Sequence, residues 1–179
     1  EREAIELIPL TRADLTDHII QVGGGLAYRA HFGPVRLNAG VLRTNYRKTV
    51  AGSDLADNKQ DTSAWLYNIS GAYALSRAIE IYGGYSRGLE EAGVAPASAP
   101  NRYEVLPPAA ARQIEMAAIF RPAKNFKVII GAFDLQRGYF GANPDDGHFS
   151  QLGRVRHRGI ELSAAGALTN RLTVIVGGV

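Results

Sequence analysis

Apolar and polar residues alternate along most of this chain. Between Ile20 and Phe32, every second residue except Gly24 is apolar, while the intervening positions are mostly polar or glycine. Alternation with a period of two predicts a β-strand with one apolar face. The pattern recurs in seven further segments, so the sequence predicts eight strands. The further segments are 35–41, 65–75, 79–85, 114–120, 126–136, 160–164 and 172–176.

The connections between these segments are alternately short and long. Short turns are predicted at 33–34, 76–77, 122–125 and 169–170, and long polar connections at about 51–62, 89–111 and 137–152. Antiparallel strands joined by tight turns on one side and by large loops on the other are typical of transmembrane β-barrels. We therefore predict an all-β fold, an antiparallel transmembrane β-barrel.

Strand length and proline placement support a membrane-spanning sheet. A tilted strand needs about 9 to 11 residues to cross a membrane, whereas strands of soluble domains usually have about 5 or 6. Several predicted strands reach the longer range, and all eight prolines fall in predicted turns or loops. The facing of segment 126–136 stays open, because two sets of apolar residues compete for one side: Phe126, Val128 and Ile130 against Ile129, Phe133 and Leu135.

Composition and charge narrow the range of partners. The chain has no cysteine, which suits an outer-membrane protein that passes through an oxidising periplasm. Its 20 cationic residues are mostly arginine, which favours recognition of carboxylate or phosphate groups, including those of lipopolysaccharide. A formal charge of only +3 gives little support to nucleic-acid binding. Arg154, Arg156 and Arg158 share one strand face near a loop, which indicates a role at the membrane surface or at the lumen mouth.

The sequence contains no pattern typical of an enzyme or of a metal site. Four residues along a strand separate His157 from Glu161 by roughly 13 Å, which is too far for one metal ion. The other histidines have no ligand spacing, and the adjacent carboxylates at 90–91 and 145–146 fall in predicted loops. We therefore expect no enzymatic activity, no resident metal and no cofactor.

Several motifs, taken in order, resemble one known family. They are YGGYSRG at 82–88, LPP at 106–108, QIE at 113–115, AFDL at 132–135 and GRVRHRGIEL at 153–162 followed by Gly166. In order and spacing they resemble the barrel of TonB-dependent outer-membrane receptors, particularly the siderophore-receptor type. Segment 158–166, RGIELSAAG, is the most specific part of the resemblance. The first half of the chain matches as generic barrel strands.

The resemblance implies a 22-stranded barrel whose lumen is closed by an N-terminal plug. Residues 1–179 would supply about eight strands of that barrel domain, without the plug domain and the C-terminal strands. Loop-like sequence at the start and a strand interrupted at Val179 favour an internal or truncated piece. The implied function is uptake of a ferric siderophore, or of cobalamin, haem or a saccharide, across the outer membrane. The missing N-terminal part would contact the TonB complex that supplies the energy.

Two groups of side chains are candidate sites on such a receptor. Arginines and aromatics in the long connections suit an anionic, aromatic-bearing chelate: Arg102, Tyr103, Arg137, Tyr139 and Phe140. Polar side chains on the inner strand face are candidates for contact with the plug or the lumen: Gln113, Glu115, Glu161 and Ser163. Solvated loop tips and hydrogen-bonded wall positions are simpler interpretations of the same residues.

Two other architectures compete with the receptor. One is a small autonomous eight-stranded outer-membrane barrel with a structural or adhesive role, whose interior would have to be filled by side chains. The many small inward residues argue against a filled interior. The other is a soluble lipid-binding barrel, which disagrees with the strong asymmetry of the connection lengths.

Overall fold

A computed structural model describes residues 15–52, 55–169 and 171–179, and all regular secondary structure in them is β. Each strand pairs with the next in an antiparallel ladder, and the predicted number of eight strands is confirmed. The strands are β1 (Leu15–Phe32), β2 (Val35–Gly52), β3 (Leu55–Ala74), β4 (Ile79–Glu90), β5 (Ala109–Ala123), β6 (Phe126–Ala142), β7 (Phe149–Thr169) and β8 (Leu172–Gly178). No helix in this part of the chain is long and apolar enough to span a membrane.

The sheet is open, with β1 and β8 at its two edges. Strand order in the sheet follows the order of the chain, and no described residue of β8 pairs with β1. An autonomous eight-stranded barrel requires that pairing, because only closure removes the edges of a sheet. The structure therefore disagrees with the small-barrel alternative.

Cross-strand pairing aligns apolar side chains on one side of the sheet, here called the apolar face; the opposite side is the polar face. Large side chains on the apolar face are bare, since Leu26 is 80% and Ile160 is 68% exposed. In β6, Val128 and Ile130 pair with apolar-face residues of β5, which settles the facing of that strand. One row across the apolar face consists of Leu37, Gly71, Gly83, Met116, Ala132 and Ile160.

The apolar face ends at a different level on each strand. Towards the long connections, its first polar residue is Arg43 on β2, Arg87 on β4, Asp134 on β6 and Arg158 on β7. When this first polar position is followed from strand to strand through the pair registers, it moves between β2 and β7 by about four residues towards the short turns. At about 3.3 Å per residue and 4.8 Å per strand, a level apolar band requires a strand tilt of about 30°, near the 35–45° of membrane barrels.

Two of the three connections predicted to be long are shorter, because the strands continue past the apolar band. β2 and β3 pair as far as Gly52 and Leu55, so most of 51–62 is strand; residues 53 and 54 lie outside the described part. β6 and β7 pair as far as Ala142 and Phe149, which reduces the connection at 137–152 to 143–148. The prediction of long loops was wrong at both places.

Polar cross-strand pairs stabilise these extensions. Arg47 forms an ion pair with Asp61 at 2.6 Å, and the Ser63 hydroxyl donates to Asn45 Oδ1 at 2.6 Å. Both faces of a strand become polar once it leaves the membrane, so the alternation that marks a strand disappears from the sequence. Because the alternation is lost in these segments, their polar composition wrongly predicts loops.

The remaining connections agree better with prediction. The connection between β4 and β5 covers 91–108, close to the predicted 89–111, and the turns at 33–34 and 124–125 are short. Gly33 adopts a φ of +55°, a left-handed conformation that suits a tight turn. In the turn after β3, the Ser76 hydroxyl accepts hydrogen bonds from the backbone N–H of Ala78 and Ile79, each at 3.1 Å. Residue 170 of the fourth turn lies outside the described residues, as do Pro9 and the loop-like start at 1–14.

One proline lies within a strand, contrary to prediction. Pro122 is the penultimate residue of β5. The register between β5 and β6 shifts between Phe120 and Ala123, so the regular ladder is interrupted where proline has no N–H to donate.

Gly166 is fixed by a close backbone approach between β7 and the turn before β6. Its φ is +141°, and a Cβ at this position would lie 1.9 Å from the carbonyl oxygen of Asn125. The N–H of Ala167 donates to the same oxygen at 2.9 Å. Only glycine allows both the conformation and the approach, which explains why the chain has glycine here.

Candidate functional site at the loop end of the sheet

The connection at 91–108, here called the β4–β5 loop, is an ordered structure with buried residues and backbone hydrogen bonds of its own. The backbone N–H of Ala95 donates to Glu104 at 2.9 Å, and the N–H of Tyr103 donates back to Ala95 at 2.9 Å. Val105 and Leu106 are buried, as is Ala95. Compact surface loops held by their own side chains are frequently functional. This loop is therefore the first place to look for a ligand site.

A buried lysine ties the β4–β5 loop to the β1–β2 hairpin. The Lys48 ammonium, on the polar face above the apolar band, lies 2.7 Å from Asp17 and also bonds Glu91 at the start of the loop. Its side chain is only 3% exposed. Burial alone would lower the pKa of Lys48, but hydrogen bonds to both carboxylates raise it above its ordinary value. The ammonium therefore stays charged and holds two separate chain segments together.

Two asparagines fasten the rest of the loop. The Asn101 side chain accepts from the N–H of Phe149 and donates to the carbonyl of the same residue, each at 2.9 Å. Asn58 on β3 donates to the carbonyl of Tyr103 at 3.2 Å. The loop thus bridges β3 and β7 at the end of the sheet that carries the long connections.

Replacing Asn101 with alanine is expected to free the loop from β7. Two hydrogen bonds to a strand terminus are lost, for a loss of about 1–2 kcal/mol in the free energy of loop closure. Limited proteolysis of the full-length protein within 91–108 would report the change. Asn143→Ala, in the 143–148 connection, is the matched control, and equal cleavage of the two variants would contradict the role of Asn101.

The structure distributes the predicted ligand residues over the loop and the strand opposite. Arg102 is exposed and Tyr103 half-buried, with a φ of +65°. Arg137 and Tyr139 belong to β6, as does Phe140, so the prediction that these three lie in a loop was wrong. Arg137 forms an ion pair with Glu90, and half of Tyr139 is exposed.

The four predicted lumen residues lie on the polar face. Gln113 donates to Glu115 at 3.0 Å, and both alternate with apolar-face residues of β5. Glu161 lies on β7 beside Gly131, where a Cβ would lie 3.0 Å from its carboxylate oxygen. The missing side chain of that glycine leaves room for the glutamate. Ser163 lies two residues further along β7 and is therefore on the same face.

A charged cluster near the short turns was not predicted from the sequence. Glu80, which is 8% exposed, lies 2.5 Å from Arg36 and 3.8 Å from Arg121. Next to it, Arg29 donates to Asn38 at 3.0 Å. A hollow of about 550 Å³ is lined by Arg29, Arg36, Asn38 and Glu80. Its members come from four strands and have no common spacing, so only the strand register could have revealed them.

The family model described as TonB dependent receptor-like, beta-barrel matches residues 18–179. This chain belongs to the TonB-dependent receptor β-barrel family. Members are outer-membrane β-barrels that act as receptors and transporters rather than as enzymes. In such a barrel the apolar face contacts lipid, so the polar face with its loop and charged clusters is the lumenal side. No curated protein is detectably similar to the chain in sequence.

Solved TonB-dependent receptors have a similar fold. The chain is similar to BauA, the ferric preacinetobactin receptor from Acinetobacter baumannii, at 24% identity and a TM-score of 0.72. It is also similar to the ferric-catecholate import receptor Fiu from K12 E. coli (18%, 0.74) and to the siderophore receptor PiuA from Acinetobacter baumannii (15%, 0.74). These matches cover 91%, 91% and 92% of this chain but only 25%, 27% and 25% of the solved chains. The chain therefore spans about a quarter of the length of these receptors.

Proposed function

We propose that this chain is part of the wall of an outer-membrane receptor that takes up ferric siderophores with energy from the TonB complex. The main support is an open sheet with a bare apolar face on one side and an ordered loop fastened to the polar face at one end. A sheet of this kind separates lipid from a lumen and presents a loop at the lumen entrance. The resemblance of the motifs at 82–166 to siderophore receptors supports the choice of cargo.

The open edges support membership of a larger barrel. Along the outer edges of β1 and β8, backbone N–H and C=O groups have no neighbouring strand among the described residues. Unpaired backbone groups cost several kcal/mol each in lipid, so a membrane sheet must continue until it closes. Further strands of the same protein are the natural partners for both edges.

The cargo would approach from the side of the long connections. A ferric siderophore is an anionic or polar chelate that often carries aromatic rings. Arg102 and Tyr139 expose a guanidinium and a ring near the loop end, and Tyr103 and Phe140 add aromatic surface. These groups can bind such a chelate through charge-assisted hydrogen bonds and stacking. Arg137 would contribute a further guanidinium to the site while it remains paired with Glu90.

In the complete receptor, the polar face would contact the plug. Gln113, Glu115, Glu161 and Ser163 offer hydrogen-bonding groups along the middle of the polar face. The cluster around Glu80 supplies both positive and negative side chains near the short turns. In this proposal the TonB complex contacts a segment outside residues 1–179, so energy reaches the cargo through the plug.

Uptake of iron by cells tests the proposed function. The full-length precursor is expressed in bacteria that lack their own siderophore receptors, and uptake of radiolabelled ferric catecholate and hydroxamate chelates is measured. Uptake of one chelate class that stops in cells without TonB is the expected result. An outer-membrane location without uptake or binding of any iron chelate would overturn the assignment of cargo.

Variants of the full-length receptor test the ligand residues. Arg102→Ser combined with Tyr139→Ala is expected to weaken chelate binding by about tenfold or more, since a charge-assisted bond and a stacking surface are lost. Arg77→Ser, in the short turn at the opposite end of the sheet, is the control and should bind normally. Equal binding by both variants would place the chelate elsewhere in the barrel.

A further inference from the structure

Four arginines gather on the apolar face just above the apolar band, and we call them the arginine cluster: Arg112, Arg154, Arg156 and Arg158. Period-two spacing places three of them on one face of β7, and the register aligns the fourth, on β5, with Gln136 and through it with Arg156. In the described part of the chain, the ion pairs of this cluster go to Asp134 alone, at 2.7 Å from Arg156 Nε and 2.9 Å from Arg158 Nε. Two of the four arginines thus pair with a single carboxylate on an outward surface, and the cluster as a whole carries excess positive charge.

Aromatic residues show that this cluster lies at the membrane interface. Tyr67 and Tyr85 lie on the apolar face with ring centroids 5.9 Å apart, next to the level of the cluster. The Arg43 guanidinium lies 5.5 Å from the ring centroid of Trp65 on the same face. Membrane barrels carry aromatic girdles at the two interfaces. The arginine cluster therefore lies at the level of lipid headgroups, on the side of the long connections.

A groove in the apolar face leads up to the cluster. Small residues leave it open in the middle of the band, chiefly Gly71, Gly83 and Ala132, and its volume is about 810 Å³. A second hollow of about 480 Å³ shares Met116, Ala132 and Ile160 with the first and extends to Asp134 and Arg158. The two hollows therefore adjoin each other on the apolar face, and the second one reaches the cationic surface.

We propose that this surface binds one phosphorylated glycolipid of the outer leaflet, with its phosphates on the arginine cluster and an acyl chain in the groove. Guanidinium groups bind phosphate in a bidentate manner, and Asp134 keeps two of them oriented. The three arginines of β7 extend over roughly 13 Å, which suits a headgroup with more than one phosphate better than a single phosphate ion. The site is distinct from the chelate site, and it rests on the proposed function only for its location in the outer membrane.

Native mass spectrometry of the purified full-length receptor tests the proposal. Four probes are titrated in detergent: bisphosphorylated lipid A, the same lipid after removal of both phosphates, phosphatidylglycerol and inorganic phosphate. The expected result is retention of one bisphosphorylated lipid A, with the other three probes bound at least about tenfold more weakly. Equal retention of phosphatidylglycerol would show a general anionic surface and overturn the glycolipid assignment. Equal competition by inorganic phosphate would show an ion site without lipid.

Paired variants separate the headgroup from the acyl chain. Arg112→Gln with Arg154→Gln removes two cations while leaving both ion pairs of Asp134 intact, and it should weaken lipid A retention by about tenfold or more. Arg77→Gln with Arg171→Gln removes the same charge at the short turns and is the matched control. Gly83→Leu, which fills the groove, should weaken retention without changing the charge. Unchanged retention in both site variants would overturn the proposal.

The lipid site and the proposed function are tested by separate measurements. Fractionation of the full-length receptor is scored first, and its absence from the outer membrane would overturn the proposed function. A receptor that inserts and takes up iron but retains no lipid A would overturn the lipid site alone.

Discussion

Replacing Gly166 with alanine is expected to lower the free energy of unfolding of the full-length barrel by about 4 kcal/mol. The new Cβ would lie 1.9 Å from the carbonyl oxygen of Asn125, and the φ of +141° is one that alanine rarely adopts. The oxygen cannot move aside without stretching its hydrogen bond from Ala167. The urea dependence of heat-modifiable gel mobility, measured on the receptor refolded into lipid, would give the loss of stability.

Gly153 provides the control for this prediction in the same strand. No atom lies within 4 Å of a Cβ built at Gly153, so Gly153→Ala should change the free energy of unfolding by less than about 0.5 kcal/mol. If the two alanine variants unfold at the same urea concentration, the close approach to Asn125 is not what requires glycine at 166.

Replacing Lys48 with methionine is expected to release the β4–β5 loop from the β1–β2 hairpin. The change keeps most of the buried side-chain volume but leaves Asp17 and Glu91 without their shared cation. Removing one partner of a buried ion pair costs about 3–5 kcal/mol; because both carboxylates are about half exposed, we expect about 2 kcal/mol here. Hydrogen exchange of the full-length receptor should then be about 30-fold faster at Ala95 and Tyr103, whose amides close the loop.

The neighbouring residue on the other face is the control. Arg47 pairs with Asp61, and both side chains are about 60% exposed. Exposed pairs contribute about 0.2–1 kcal/mol, so Arg47→Gln should leave exchange in the loop unchanged. Faster exchange in Arg47→Gln than in Lys48→Met would assign loop closure to the hairpin as a whole rather than to the buried lysine.

The apolar half of each strand was predictable from the sequence, and the polar half was not. Apolar and polar residues alternate from Ile20 to Phe32 because lipid lies on one side and the lumen on the other. The pattern therefore predicts the strand directly. Above the band, both sides of β2 and β3 meet water or other polar groups. There, cross-strand pairs such as Arg47 with Asp61 stabilise the strands. Such pairs depend on the register between two strands, so they cannot be recognised in the sequence of either strand alone.

The candidate site was predicted less completely than the fold, for a related reason. The predicted arginines and aromatics do lie towards the loop end, but what orders the loop is a set of contacts between residues far apart in sequence. Lys48 reaches Glu91 across 43 positions, and Asn101 reaches Phe149 across 48. No local spacing marks such pairs. Even Gly166, in the motif at 158–166, meets a backbone approach from Asn125, which lies 41 positions earlier.

Together with strand number, the tilt of the strands determines how wide a pore this wall can enclose. A barrel of the 22 strands used by plugged outer-membrane transporters, spaced 4.8 Å apart and tilted by about 30°, closes at a backbone diameter of about 39 Å. Side chains on the inner face reduce this width by roughly 10 Å. An empty barrel would still admit antibiotics and bile salts. A barrel of this width therefore requires a plug if the permeability barrier of the cell is to be preserved.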